Sequence, residues 1–157
     1  TFDRARSGDV DGLRELLGIG VPVNLTNGRG DTLLMLATYH GHHAATQLLL
    51  ERGADASIFN DMGQTPLQAA AFKGDRKMVE LLLEHGVDVE SRGPTGRTAL
   101  MFAAMFDRVE ILDLLLAHGA DPQATDEAGV SVLDAARTMN APHTVPQLEQ
   151  LLSRQEN

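Results

Sequence analysis

The chain contains no cysteine, which removes disulfides, cysteine-ligated zinc and cysteine nucleophiles in one step. That absence suits a reducing compartment and an oxidising one equally. Aromatic residues are scarce, one Tyr and five Phe, so where they fall carries information. Cations are outnumbered: 13 Lys and Arg stand against 22 Asp and Glu, for a net charge of −9. An acidic chain opposes binding to nucleic acid or anionic lipid, and the simplest use of the charge is solubility. Long apolar runs are missing too, with nothing near the roughly 18 residues that would span a bilayer. No Gly-x-Ser-x-Gly, no phosphate-cradling Gly-rich loop followed by Lys and no His-Glu-x-x-His occurs, so the familiar hydrolase, nucleotide and metalloprotease signatures are absent. The chain opens at Thr1 rather than Met. That reads as trimming, so an exported compartment stays open beside the expected cytoplasmic one.

What is present is a period. Gly20, Gly53, Gly86 and Gly119 stand 33 residues apart, and so do Gly30, Gly63, Gly96 and Gly129. A third series, Gly8, Gly41 and Gly74, continues through Asp107 and Asn140. Glycine serves positions of positive φ, and Asp and Asn are the side chains that best tolerate that geometry. One backbone demand therefore explains all five members of the third series. A 33-residue period implies a stacked array of one supersecondary unit, and 157 residues hold about four and three-quarter of them.

Thr32, Thr65, Thr98 and Ser131 each follow a series glycine by two residues, where a hydroxyl can cap a helix. Pro66 stands at a first helical position, where a missing N–H costs nothing. Short apolar helices are expected at Leu33–His40, Pro66–Lys73, Ala99–Phe106 and Val132–Met139. Each is followed by a second helix with apolar residues at helical spacing, such as Met78, Val79, Leu82 and Leu83. Gly53, Gly86 and Gly119 close these second helices. The ten or so polar residues between that glycine and the next hydroxyl read as a hairpin-like connection.

Gly63-Gln64-Thr65-Pro66-Leu67-Gln68-Ala69-Ala70-Ala71, then Gly74, Leu81-Leu82-Leu83 and Gly86 with Asp88, resembles an ankyrin repeat. The units from Gly30 and Gly96 match similarly, and the resemblance covers essentially the whole chain. It implies an all-α ankyrin-repeat solenoid of helix–turn–helix units joined by hairpin-like loops. The expected organisation is a single domain over 1–157, with units 1–29 (truncated), 30–62, 63–95, 96–128 and 129–157 (capping). Phe2–Ser7 stands for the shortened first helix. Pro142 and Pro146 are expected to interrupt the register before Leu148, Leu151 and Leu152 form a closing helix with a polar tail. The family's Thr-Pro-Leu-His signature is altered: Leu33, Ala99 and Val132 replace the proline, and Met35, Gln68, Met101 and Asp134 replace the histidine. Loss of the histidine is expected to weaken the hydrogen bonds between neighbouring loops.

Several small constellations have plain structural explanations. His40, His42 and His43 straddle a helix-ending turn, so their side chains should diverge rather than hold zinc. His85 and His118 should bond the last helical carbonyls. Asp55, Asp88 and Asp121 are turn residues at the repeat period, not paired acids. The glycine of Arg29-Gly30-Asp31 is already required by the repeat, and Asn24-Leu25-Thr26 is a glycosylation sequon of meaning only in secretion. Neither a metal nor a cofactor is expected.

In ankyrin-like arrays the loop tips and the last inner-helix positions form the concave binding face. That resemblance assigns partner contacts to Tyr39, Phe59, Met62, Phe72, Lys73, Arg92, Arg97, Met105, Phe106 and Met139. Four of the six aromatics and three of the six Met fall there, and such side chains are enriched at interface cores. The expected function is non-enzymatic binding of a protein partner of unknown identity by a monomer, with no nucleic acid and no membrane. The alternative is a dedicated inhibitor or immunity protein that blocks one enzyme.

Overall fold

Each hydroxyl picked out by the period caps a helix. The side-chain oxygens of Thr32, Thr65, Thr98 and Ser131 accept the N–H groups of Met35, Gln68, Met101 and Asp134. Thr65 and Gln68 go further and form a reciprocal capping box. The computed structural model describes residues 1–156; Asn157, the end of the expected polar tail, lies outside them. Among the described residues the helices are α1 (Phe2–Ser7), α2 (Val10–Gly18), α3 (Leu33–Tyr39), α4 (His43–Glu51), α5 (Pro66–Lys73), α6 (Arg76–Glu84), α7 (Ala99–Met105), α8 (Val109–Ala117), α9 (Val132–Thr138) and α10 (Thr144–Glu156). No strand forms among the described residues; isolated antiparallel bridges pair Thr26 with Thr32 and Thr125 with Ser131, so the connections are hairpin-like without becoming sheet. No helix of the described residues is long and apolar enough to cross a membrane.

The odd-numbered helices stack on one another, and α2, α4, α6 and α8 form a second layer behind them, closed by α10. The odd layer is the core. Every residue of Leu33–Thr38 and of Pro66–Ala71 is buried, because loops cover one side and the even layer the other. An even helix buries only one stripe. Leu49, Leu82 and Leu115 mark it at 33-residue steps and are fully buried. Leu148 continues that series and is equally buried, which corrects the expected interruption by proline. Pro146 lies in the first turn of α10, where the helix does not need its N–H, so the register passes through intact.

The turn between the layers explains the two departures from glycine. Asp107 and Asn140 have φ of 61° and 54°, the left-handed geometry of Gly41 and Gly74. Asp107 also does what glycine cannot. Its Oδ1 accepts the N–H groups of His143 and Thr144 at the start of α10, both at 2.9 Å, and its Oδ2 meets His143 Nδ1 at 2.7 Å. Burial alone would raise the Asp107 pKa, but these hydrogen bonds outweigh it and hold the carboxyl below its usual value. A depressed folded-state pKa adds stability above the ordinary carboxylate value of about 4, lost as pH falls through the lowered one. Asp107→Gly is therefore expected to destabilise by about 1 kcal/mol at neutral pH, despite the relaxed φ, because the cap is lost. Asp107→Asn keeps the Oδ1 acceptor, and thermal melts from about pH 6 to about pH 3 should show a flatter acid profile than the parent.

Two buried hydroxyls, those of Thr38 and Thr46, have no hydrogen-bond partner among the described residues. Thr46 is fully buried in α4. The positions one and two periods later hold Val79 and Leu112. Thr46→Val is expected to raise stability by about 1 kcal/mol, since an isosteric apolar group replaces an unsatisfied hydroxyl. Urea unfolding of the two proteins checks this.

Candidate partner-binding face

The face opposite the even layer is built from the C-terminal ends of the odd helices and the loop tips 25–31, 58–64, 91–97 and 124–130. Each tip is a repeat of the same turn. The Oδ1 atoms of Asn27, Asn60 and Asp126 each accept two N–H groups of their own loop. Neighbouring tips are then joined in register. Asp61 N–H donates to the Arg29 carbonyl at 2.9 Å and Glu127 N–H to the Thr95 carbonyl at 3.1 Å. Behind the tips, Asn24 Oδ1 accepts from Asp55 N–H and Glu90 Oε1 from Asp121 N–H.

The seam between tips 58–64 and 91–97 lacks both ties. Pro94 occupies the donor position and has no N–H. Ser57 occupies the acceptor position and turns its hydroxyl to Asp55 Oδ1 instead. A cavity of about 270 Å³ between Leu50, Ser57, Val87 and Ser91 lies behind this seam. Gln68 spans the seam from the helix side: its Nε2 donates to the Arg97 carbonyl at 2.7 Å and the Ser91 carbonyl at 3.4 Å. The expected weakening of loop ties is thus corrected at Gln68, whose amide reaches the next loop where the family carries histidine. Gly93 completes the closure, because a Cβ there would collide with the Gly63 carbonyl oxygen.

The residues assigned to partner contacts divide into three groups. Met62 is 80% exposed, Phe59 47%, Met139 46% and Tyr39 38%. Phe72, Met105 and Phe106 are half-buried. Phe72 and Phe106 meet edge to face with ring centroids 4.7 Å apart, and Phe106 also packs on the core. Lys73 lies with its Nζ 4.3 Å from the centre of the Tyr39 ring, a cation–π contact. Arg92 and Arg97 are engaged within the array. Arg92 Nη1 donates to the Gly96 and Thr125 carbonyls at 2.9 and 2.7 Å, and Arg97 Nε stands 3.9 Å from Asp126 Oδ2. Arg92 thereby braces the one tip that has glycine, Gly93, in place of the Asn or Asp of its sisters.

Tyr39, Met62 and Phe72 border a recess of about 500 Å³ whose lining also includes Arg6 and Arg29. Those two cations were outside the sequence assignment, yet the period marks them. Arg6, Tyr39 and Phe72 stand 33 apart, as do Arg29 and Met62. His40 sits beside Tyr39, rings edge to face at 5.2 Å. Desolvation lowers its pKa, and the charges of His42, Lys73 and Arg6 lower it further against the opposing pull of Asp31. The other two histidines point elsewhere, His42 Nε2 to the Arg6 carbonyl and His43 Nε2 to the Asp75 carboxylate. His85 and His118 bond the carbonyls of Leu81 and Leu114.

Residues 3–93 match the family model for ankyrin repeats in three copies, and residues 95–127 match the single ankyrin repeat. Among curated proteins, an ankyrin repeat protein of Pseudomonas aeruginosa is 54% identical over 47 residues, 30% of this chain and 28% of its own. The ankyrin repeat protein YahD of Escherichia coli is 35% identical over 51 residues, 32% of this chain and 25% of its own. The matched stretch spans about a quarter of the length of these curated relatives.

Proposed function

We propose, on the premise that this chain belongs to the ankyrin-repeat family, that it is a non-enzymatic module holding a protein partner along its concave face. The observation that carries this is the row Tyr39, Phe72 and Phe106, with Met62 and Met139 exposed beside it. Aromatic and Met side chains left at the surface of one face are what interface cores are made of. Capped helices and tied loops hold the row in place, so little conformational entropy is lost when a partner docks. The organisation we propose is a single domain of five units beginning at residues 1, 30, 63, 96 and 129, acting as a monomer.

Affinity capture with the purified chain, followed by identification of what is retained, tests the reading. Several unrelated proteins retained through the concave face support an adaptor. One catalytic protein retained, with its activity lost, supports the inhibitor alternative. Retention of nothing but nucleic acid or lipid would contradict both.

A further inference from the structure

We propose that the recess between loop tips 25–31 and 58–64 receives an aromatic side chain flanked by carboxylates, so that the partner presents an acidic-aromatic segment there. The inference rests on the concave-face reading and adds the chemistry of what is bound. Met35, Leu36 and Phe72 supply an apolar lining. A volume of about 500 Å³ falls within the about 300–1,000 Å³ in which proteins enclose compact ligands, enough for one ring and its backbone. Cations stand around that lining. Among the described residues the Arg6 guanidinium is held only by an exposed pair with Asp3, which contributes little and exchanges readily. The Arg29 guanidinium has no partner among the described residues. Lys73 covers the Tyr39 ring at the adjoining edge.

Of the two acids in the lining, Asp31 already accepts from Asn60 Nδ2 at 2.9 Å, and Asp61 turns its carboxylate over Gly30. His40 at the rim has its pKa lowered first by desolvation, and the nearby Lys73 and Arg6 charges add to that lowering. The wider charge distribution agrees. The odd helices and the four loop tips hold seven of the 13 cations but six of the 22 anions. That layer is at +1, while the remainder, with six cations and 16 anions, carries −10. Fields from the outer acids are screened within about 8 Å at physiological salt, so a segment seated in the recess meets the arginines first. A carboxylate on a guanidinium forms charge-assisted, often bidentate hydrogen bonds, which an amide or an ammonium group cannot reproduce.

The chain carries its own reporters. With ¹³C-methyl methionine, NMR reads Met35 and Met62 at the recess, Met105 and Met139 further along the face, and Met78 and Met101 in the core. The probes are acetyl-Glu-Phe-Glu-amide and its Gln- and Lys-flanked counterparts. The acidic peptide is expected to shift Met35 and Met62 saturably and leave Met78 and Met101 in place. It should bind at least about tenfold tighter than the Lys-flanked peptide. That advantage should shrink as salt rises from about 0.1 M to about 1 M, where the screening length falls to about 3 Å. The double variant Arg6→Gln with Arg29→Gln should lose the advantage at an unchanged melting temperature. Equal or tighter binding of the Gln- or Lys-flanked peptide overturns the proposal, and so does silence at Met35 and Met62. Shifts confined to Met105 and Met139 would also overturn it, while leaving the concave-face reading intact.

Discussion

Leu82→Ala should lower the unfolding free energy by about 2–5 kcal/mol, the usual cost of a leucine-sized cavity in a core that cannot fully collapse. Leu82 is fully buried in α6, in the middle of the Leu49, Leu82, Leu115 and Leu148 series. Its position in the array adds to the effect. A repeat protein is held by contacts between neighbours, so a central cavity weakens the coupling on both sides. Leu148→Ala, in α10, which packs on α7, α8 and α9, should cost less. Urea unfolding monitored by far-UV circular dichroism measures both. A loss under about 1 kcal/mol for Leu82→Ala would contradict the burial described here.

Phe72→Ala should weaken partner binding at least about tenfold, about 1.4 kcal/mol or more, with a far smaller change in stability than Leu82→Ala. Phe72 is half-buried and stands between the recess and Phe106. Removing its ring therefore opens the recess wall and strips the edge-to-face support from its neighbour. Pairs of this kind are worth about 0.5–1.5 kcal/mol beyond the area they bury. Phe106→Ala should weaken binding by a similar factor but carry a larger stability cost, because Phe106 also touches the core. Comparing the two separates anchor from core. If Phe72→Ala melts as early as Leu82→Ala, the ring is packing rather than contact surface, and its role in binding falls.

The fold was readable because a backbone demand repeats where side chains vary. Asp107 and Asn140 could be placed in a glycine series since positive φ restricts the choice to a few residues. The hydroxyl caps were readable for the same kind of reason, as Thr32, Thr65, Thr98 and Ser131 meet one geometric need. The prolines misled. Pro142 and Pro146 suggest a break until Leu148 is found fully buried in register with Leu115.

The face was less readable, because side chains there are set by what stacking brings near them. Arg92 and Arg97 resemble free contact residues in the sequence. Their neighbours turn out to be the Thr125 carbonyl and the Asp126 carboxylate of the next loop, far off in sequence. Gln68 shows the converse, since a residue that departs from the family's signature keeps its task by reaching Arg97 with a different donor. Arg6 is hard to read from the sequence although it lies one period before Tyr39, because stacking against α3 is what brings it to the recess.

The most direct test of partner binding through the concave face is hydroxyl-radical footprinting of the chain with and without a captured partner. Tyr39, Phe59, Met62 and Met139 are exposed on that face, while Ile19, 75% exposed after α2, and Val109 at the start of α8 report the other side. The expected result is protection of Met62, Tyr39 and Met139 on binding, with Ile19 and Val109 oxidised as before. Protection of Ile19 and Val109 with Met62 and Tyr39 unchanged would place the partner on the even helices and contradict the account.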